Sequence, residues 1–166
     1  MYFIRKGSST LVLVINLMFV WLSIHVLAGL PNKLPLVFNV LLYMLLSIVD
    51  INKLTFMSDV WDLFLISNEV PAHLSVIGYR DFTFSLTLLA YANVFFTAVK
   101  PLTKLGISLY TFLFLYLSAS ALRWTGAITD LSWNGFYETA CLAIMMLLTY
   151  GFSRLLLRLM RKEMSP

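Results

Sequence analysis

The chain has 166 residues, of which 60% are hydrophobic, 15% aromatic and 12% charged, with a net charge of +4 and a mean hydropathy of +0.87. A soluble domain carries about 25% charged residues, and one core of this size cannot hide so much apolar surface, so a soluble globular domain is ruled against. No basic stripe interleaved with exposed aromatics occurs, which argues against a nucleic-acid partner.

A helix needs about 20 apolar residues to cross a bilayer, and the chain offers such runs in series. The first covers residues 8–30, without a charge and preceded by Arg5 and Lys6. Val26-Leu27-Ala28 resembles a signal-peptidase site, so a cleaved signal peptide competes with a retained span. The length of the run, and His25 just before that site, favour the retained span. Pro31, Asn32, Lys33 and Pro35 then predict a tight turn.

The second run, 34–52, reaches span length only if Asp50 to Asn52 lie at the interface. An acidic stretch follows. Within it Met57, Val60, Trp61, Phe64 and Leu65 keep the spacing of an apolar helix face, with Asp59 and Asp62 turned elsewhere. This predicts a short amphipathic helix over 55–67, lying on the membrane surface and ended by Pro71. Spans are further expected over 82–99, 105–122 and 136–153, the last containing Glu138 near its start and followed by a basic tail. The reading is therefore all-α: a single integral membrane bundle of about five spans plus one interfacial helix. Four spans, or six with Leu63 to Tyr79 inserted, are the alternatives.

Five spans place Asp50, Arg80, Asp81, Arg123, Asp130 and Glu138 on one face, whichever way the chain is oriented. Lys33, Lys100, Lys104, Arg154, Arg158, Arg161 and Lys162 lie on the other, against Arg5, Lys6, Lys53, Arg80 and Arg123. The positive-inside rule then puts the N-terminus outside and the C-terminus in the cytoplasm of a multi-pass cell-membrane protein.

Glu138 is the sharpest candidate, because an ionisable group inside a span is expensive unless paired. Arg123 is its expected partner across a short connection, and Arg80 with Asp81 completes a candidate polar cluster. Asn16, Asn39 and Asn93 sit in three spans and either form interhelical hydrogen bonds or line a polar path. Trp124 and Trp133 fit an interfacial aromatic belt. His25 and His73 have no metal-ligand spacing around them, Cys141 reads as a small buried or lipid-facing residue that cannot form an intramolecular disulfide, and no Walker, Gly-x-Gly-x-x-Gly or Gly-x-Ser-x-Gly motif occurs. No cofactor, metal or catalytic residue is expected. The partners expected are the lipid bilayer and a larger membrane complex. A small-solute transporter with its pocket at Arg80, Arg123 and Glu138 is the rival, and an intramembrane enzyme using Glu138 a third class.

Several features taken together resemble a family of small uncharacterised multi-pass membrane proteins of endospore-forming bacilli. They are Phe38-Asn39-Val40-Leu41-Leu42-Tyr43, Trp61 with Phe64, His73 before a long span, and Leu131-Ser132-Trp133-Asn134-Gly135 before a last span with a basic tail. The resemblance covers about two thirds of the chain. It implies a compact helical bundle, with no activity attached. The acidic Asp59, Asp62 and Glu69 depart from the pattern.

Overall fold

Helices account for 83% of the computed structural model, which describes residues 3–30 and 34–163, with side chains from 10 to 30 and 34 to 162. The side chains of Arg5 and Lys6 and the turn at Pro31 to Lys33 lie outside these. The elements are α1 (Phe3–Gly29), α2 (Leu36–Thr55), β1 (Phe64–Ile66), α3 (Val70–Gly78), α4 (Ser85–Thr97), α5 (Pro101–Trp124), β2 (Ile128–Asp130) and α6 (Gly135–Glu163). Among the described residues, four helical stretches are long and apolar enough to cross a membrane: Thr10–Gly29, Leu36–Val60, Pro101–Trp124 and Gly135–Lys162.

A fifth long helix stands at the centre. A wide π-helical turn, Tyr79–Phe84, joins α3 to α4 without a break in helical backbone, so Val70 to Thr97 runs as one rod, roughly 42 Å long. It packs against α1, α2, α5 and α6. Every residue from Thr87 to Asn93 is buried, so this stretch has no polar side and its sequence shows no amphipathic stripe. Small residues allow the close approach. Gly78 is the tightest: a Cβ there would lie 2.6 Å from Asn16 Nδ2 on α1. Asn16 beside Gly78 and Ser23 bonded to Thr87 (3.2 Å) show that α1 and the central helix run in the same direction.

The widened turn changes the hydrogen-bond ladder, and hydroxyls from outside it contribute. Tyr43 of α2 donates to the Asp81 carbonyl at 2.9 Å, and Ser85 donates to the Arg80 carbonyl at 3.4 Å. Such satisfaction is obligatory where no water can reach the backbone.

Two sequence expectations are corrected here. No separate interfacial helix forms over 55–67. Buried Phe38, Leu42, Leu46 and Asp50 form an every-fourth stripe on α2, and half-buried Leu54 and Met57 prolong it. The helix therefore continues through a π-helical end, Phe56–Val60. Phe64, assigned to an amphipathic helix, instead stands in β1. Pro71 likewise opens a helix rather than ending one, since the first helical turn does not need its missing N–H. The third apolar run is consequently the second half of a much longer helix than 82–99.

Candidate functional site

One end of the bundle is capped by two connections zipped together. β1 and β2 pair antiparallel, Phe64 with Asp130 and Ile66 with Ile128. Ser67 N–H donates to the Ala127 carbonyl at 2.9 Å, and the Leu63 carbonyl receives the N–H groups of Leu131, Ser132 and Trp133 at 3.0, 3.1 and 3.3 Å. The cap is aimed by the end of α5. There Gly126 N–H bonds Arg123 O at 3.0 Å and Ala127 N–H bonds Leu122 O at 2.9 Å, the two bonds of a Schellman motif. Gly126 takes the left-handed conformation that the motif requires, φ 77°. On the far side, Asn134 Oδ1 accepts from Phe136 and Tyr137 N–H at 3.0 and 3.1 Å and starts α6.

These two helix ends place Arg123 and Glu138 side by side. Arg123 Nη2 donates to Glu138 Oε2 at 2.6 Å, while its Nε donates to Asp130 Oδ1 at 3.0 Å. Trp133 Nε1 also donates to Glu138 Oε2, at 2.9 Å. Trp133 is pinned from above by Phe64 of β1, edge to face at 5.8 Å. One guanidinium thus ties α5, β2 and α6, and Glu138, 8% exposed, has its charge met in the first turn of a helix, where a negative charge is favoured.

Arg80 and Asp81 do not join this network. They pair with each other, Nε to Oδ1 at 2.7 Å and Nη2 to Oδ2 at 3.1 Å. Both sit within the central helix rather than at the start of a span, so Asp81 caps no helix. Its neighbour Tyr79 is the residue that reaches the Arg123–Glu138 side, lining a cavity of about 40 Å³ with Lys53, Trp133 and Cys141.

Lys53 forms a further ion pair with Asp50, a residue expected at the membrane interface. Asp50 is fully buried, and its carboxylate contacts Lys53, one turn on in α2. Beyond Lys53, neither Asp50 oxygen has a hydrogen-bond partner among the described residues. The Lys53 ammonium also lies 4.0 Å from the centre of the Phe84 ring. The signal was present in the sequence: Asp50 continues the Phe38, Leu42, Leu46 register, with a lysine three residues later.

The three asparagines are not one path. Asn93 Nδ2 donates to Asn39 Oδ1 at 2.7 Å and to the Leu89 carbonyl at 3.0 Å, joining α4 to α2. Asn16 packs against Gly78, fifteen positions earlier on the central helix, roughly 22 Å away along its axis. His25 stays local, its Nδ1 2.9 Å from the Trp21 carbonyl. Among the described residues, no three His, Cys, Asp or Glu side chains converge on a metal position.

A second polar recess, about 130 Å³, is bordered by Tyr116, Ser120, Asp130 and Asn134 beside the same Arg123–Glu138 pair. Both spaces beside the Arg123–Glu138 pair are smaller than the roughly 300–1,000 Å³ of ordinary small-molecule sites. The chain matches no protein-family model, no curated protein and no solved structure.

Proposed function

We propose that this protein is a multi-pass cell-membrane protein that crosses the bilayer five times and acts as a non-enzymatic accessory or assembly component of a larger membrane complex. The central helix is its fifth span, beside the four recognisable by length and apolar character. The observation that carries the reading is the mutual pairing of the polar side chains inside the bundle. Arg123, Asp130, Glu138 and Trp133 bond one another, Arg80 bonds Asp81, and Asn93 bonds Asn39. The pairs between elements lock helices together, the Arg80–Asp81 pair is satisfied within the central helix, and together they leave little to bind or move a solute. The rival, a solute-binding module at Arg80, Arg123 and Glu138, would need these pairs to open.

The capped end shares a face with the start of α1, and the lysine- and arginine-rich ends lie opposite. This supports an outside cap and a cytoplasmic C-terminus. Purification from its native membrane in a mild detergent tests the role. A membrane-protein partner at fixed stoichiometry is expected, and a clean monomer with no partner overturns it. Cysteine accessibility at Asn68 and at Lys162 tests the orientation, with Asn68 labelled from outside.

A further inference from the structure

A groove of about 570 Å³ runs between the end of α2 and the first half of α6. From its deep end at Val49 and Leu148 the walls are apolar, Asn52 and Lys53 come next, and Trp61 and Tyr137 stand at the rim. Two features limit what can fill it. First, Lys53, Met57, Trp133 and Cys141 also line the small cavity that reaches Arg123 and Glu138, so apolar walls and charged side chains adjoin, as an amphiphile requires. Second, exposed Asp59 and Asp62 are close neighbours of Trp61 in the chain, and their charges repel an anionic head group and suit an ammonium.

We propose that this groove is a phospholipid site. It holds one acyl chain of a zwitterionic phospholipid, whose ammonium faces the rim bordered by Asp59 and Asp62. The proposal rests on the chain lying in a bilayer, and the aromatic pair Trp61 and Tyr137 sets the depth at which chain gives way to head group.

The test reconstitutes the full chain in dioleoylphosphatidylcholine vesicles with a trace of phosphatidylcholine carrying a diazirine midway along one chain. After photolysis, adducts are mapped by peptide. Several-fold more label is expected on residues 49–63 and 137–148 than on the outer face of α1, which exposes Leu17, Met18 and Trp21. Ala140→Phe, which fills the groove wall, should remove that excess and leave α1 labelling unchanged. Equal labelling of groove and α1 overturns the site while leaving the membrane reading intact, whereas no labelling anywhere overturns both. Competition supplies an arm that needs no variant. Replacing part of the vesicle phosphatidylcholine by phosphatidylglycerol, the weaker competitor, should raise groove labelling relative to α1, and a fall overturns the proposal. An unlabelled groove together with an oxidised dimer of Ile144→Cys would assign it to a second copy of the chain and also overturn it.

Discussion

Two buried ion pairs lie near the capped end of this bundle and hold different things together. Arg123 and Glu138 come from different helices, and through Asp130 and Trp133 they fasten α5, the β-paired cap and α6. Asp50 and Lys53 are one turn apart on α2, and their ion pair itself joins no second segment, the Lys53 ammonium meeting the central helix only over the Phe84 ring. The first pair is a tertiary fastening with every partner hydrogen-bonded. The second is a local neutralisation that lets α2 carry a carboxylate into the core. Sequence distance, rather than burial, separates a charge pair that builds the fold from one that is merely tolerated by it.

Breaking the fastening should have the largest effect. Arg123→Met leaves the Glu138 carboxylate buried with Trp133 alone, and should cost roughly 3 kcal/mol, the low end for an orphaned buried charge because Arg123 retains some water contact. Denaturation in mixed detergent micelles reads the loss, and Arg123→Met with Glu138→Gln should recover part of it. On α2 the expectation is the opposite. Asp50→Leu combined with Lys53→Met should change stability by no more than about 1 kcal/mol, since well-packed apolar residues replace isolated buried pairs at little cost. A loss as large as that of Arg123→Met would show that Asp50 reaches a partner on another helix and would erase the contrast.

Away from the charges the effects shrink. Gly78→Ala brings a methyl against Asn16 and should cost about 1–3 kcal/mol through overpacking, with Asn16→Ala as the second change that restores the fit. Full destabilisation persisting in the double variant would place the strain elsewhere. Gly126→Ala forces a side chain into the left-handed region at the end of α5, for a cost of about 1 kcal/mol. It loosens the cap that covers Glu138 without touching any charge. Asn93→Leu removes the bond to Asn39 and should cost about 0.6–2 kcal/mol.

The unequal legibility of these features has physical causes. Arg123 and Glu138 could be paired from sequence because the connection between their helices is short and an unpaired carboxylate in a span is untenable. The four outer helices were legible from their long apolar runs, although that of α2 reaches span length only by including Asp50 to Asn52. The central helix was half legible. Phe82 to Val99 reads as apolar, but Arg80 and Asp81 look like its border, and only a π-turn with internal pairing keeps the rod going through them. The strands were not legible at all. Phe64–Ile66 and Ile128–Asp130 are three residues each, and nothing short of their meeting in space identifies them. The interfacial helix failed for a related reason: Met57 fits two apolar faces, and the one that packs belongs to α2.

The central helix also dictates a sequence of events in biosynthesis. It leaves the ribosome after α1 and α2 but before α5 and α6, which later cover its remaining sides. During that interval Asn93, fully buried in the finished protein, already has its partner Asn39 on α2. The cap cannot close until β2 has been made, some sixty residues after β1. Until translation has passed Asp130, the chain has α5 but neither β2 nor α6, so the cap stands open and the central helix keeps the flank that α6 will cover.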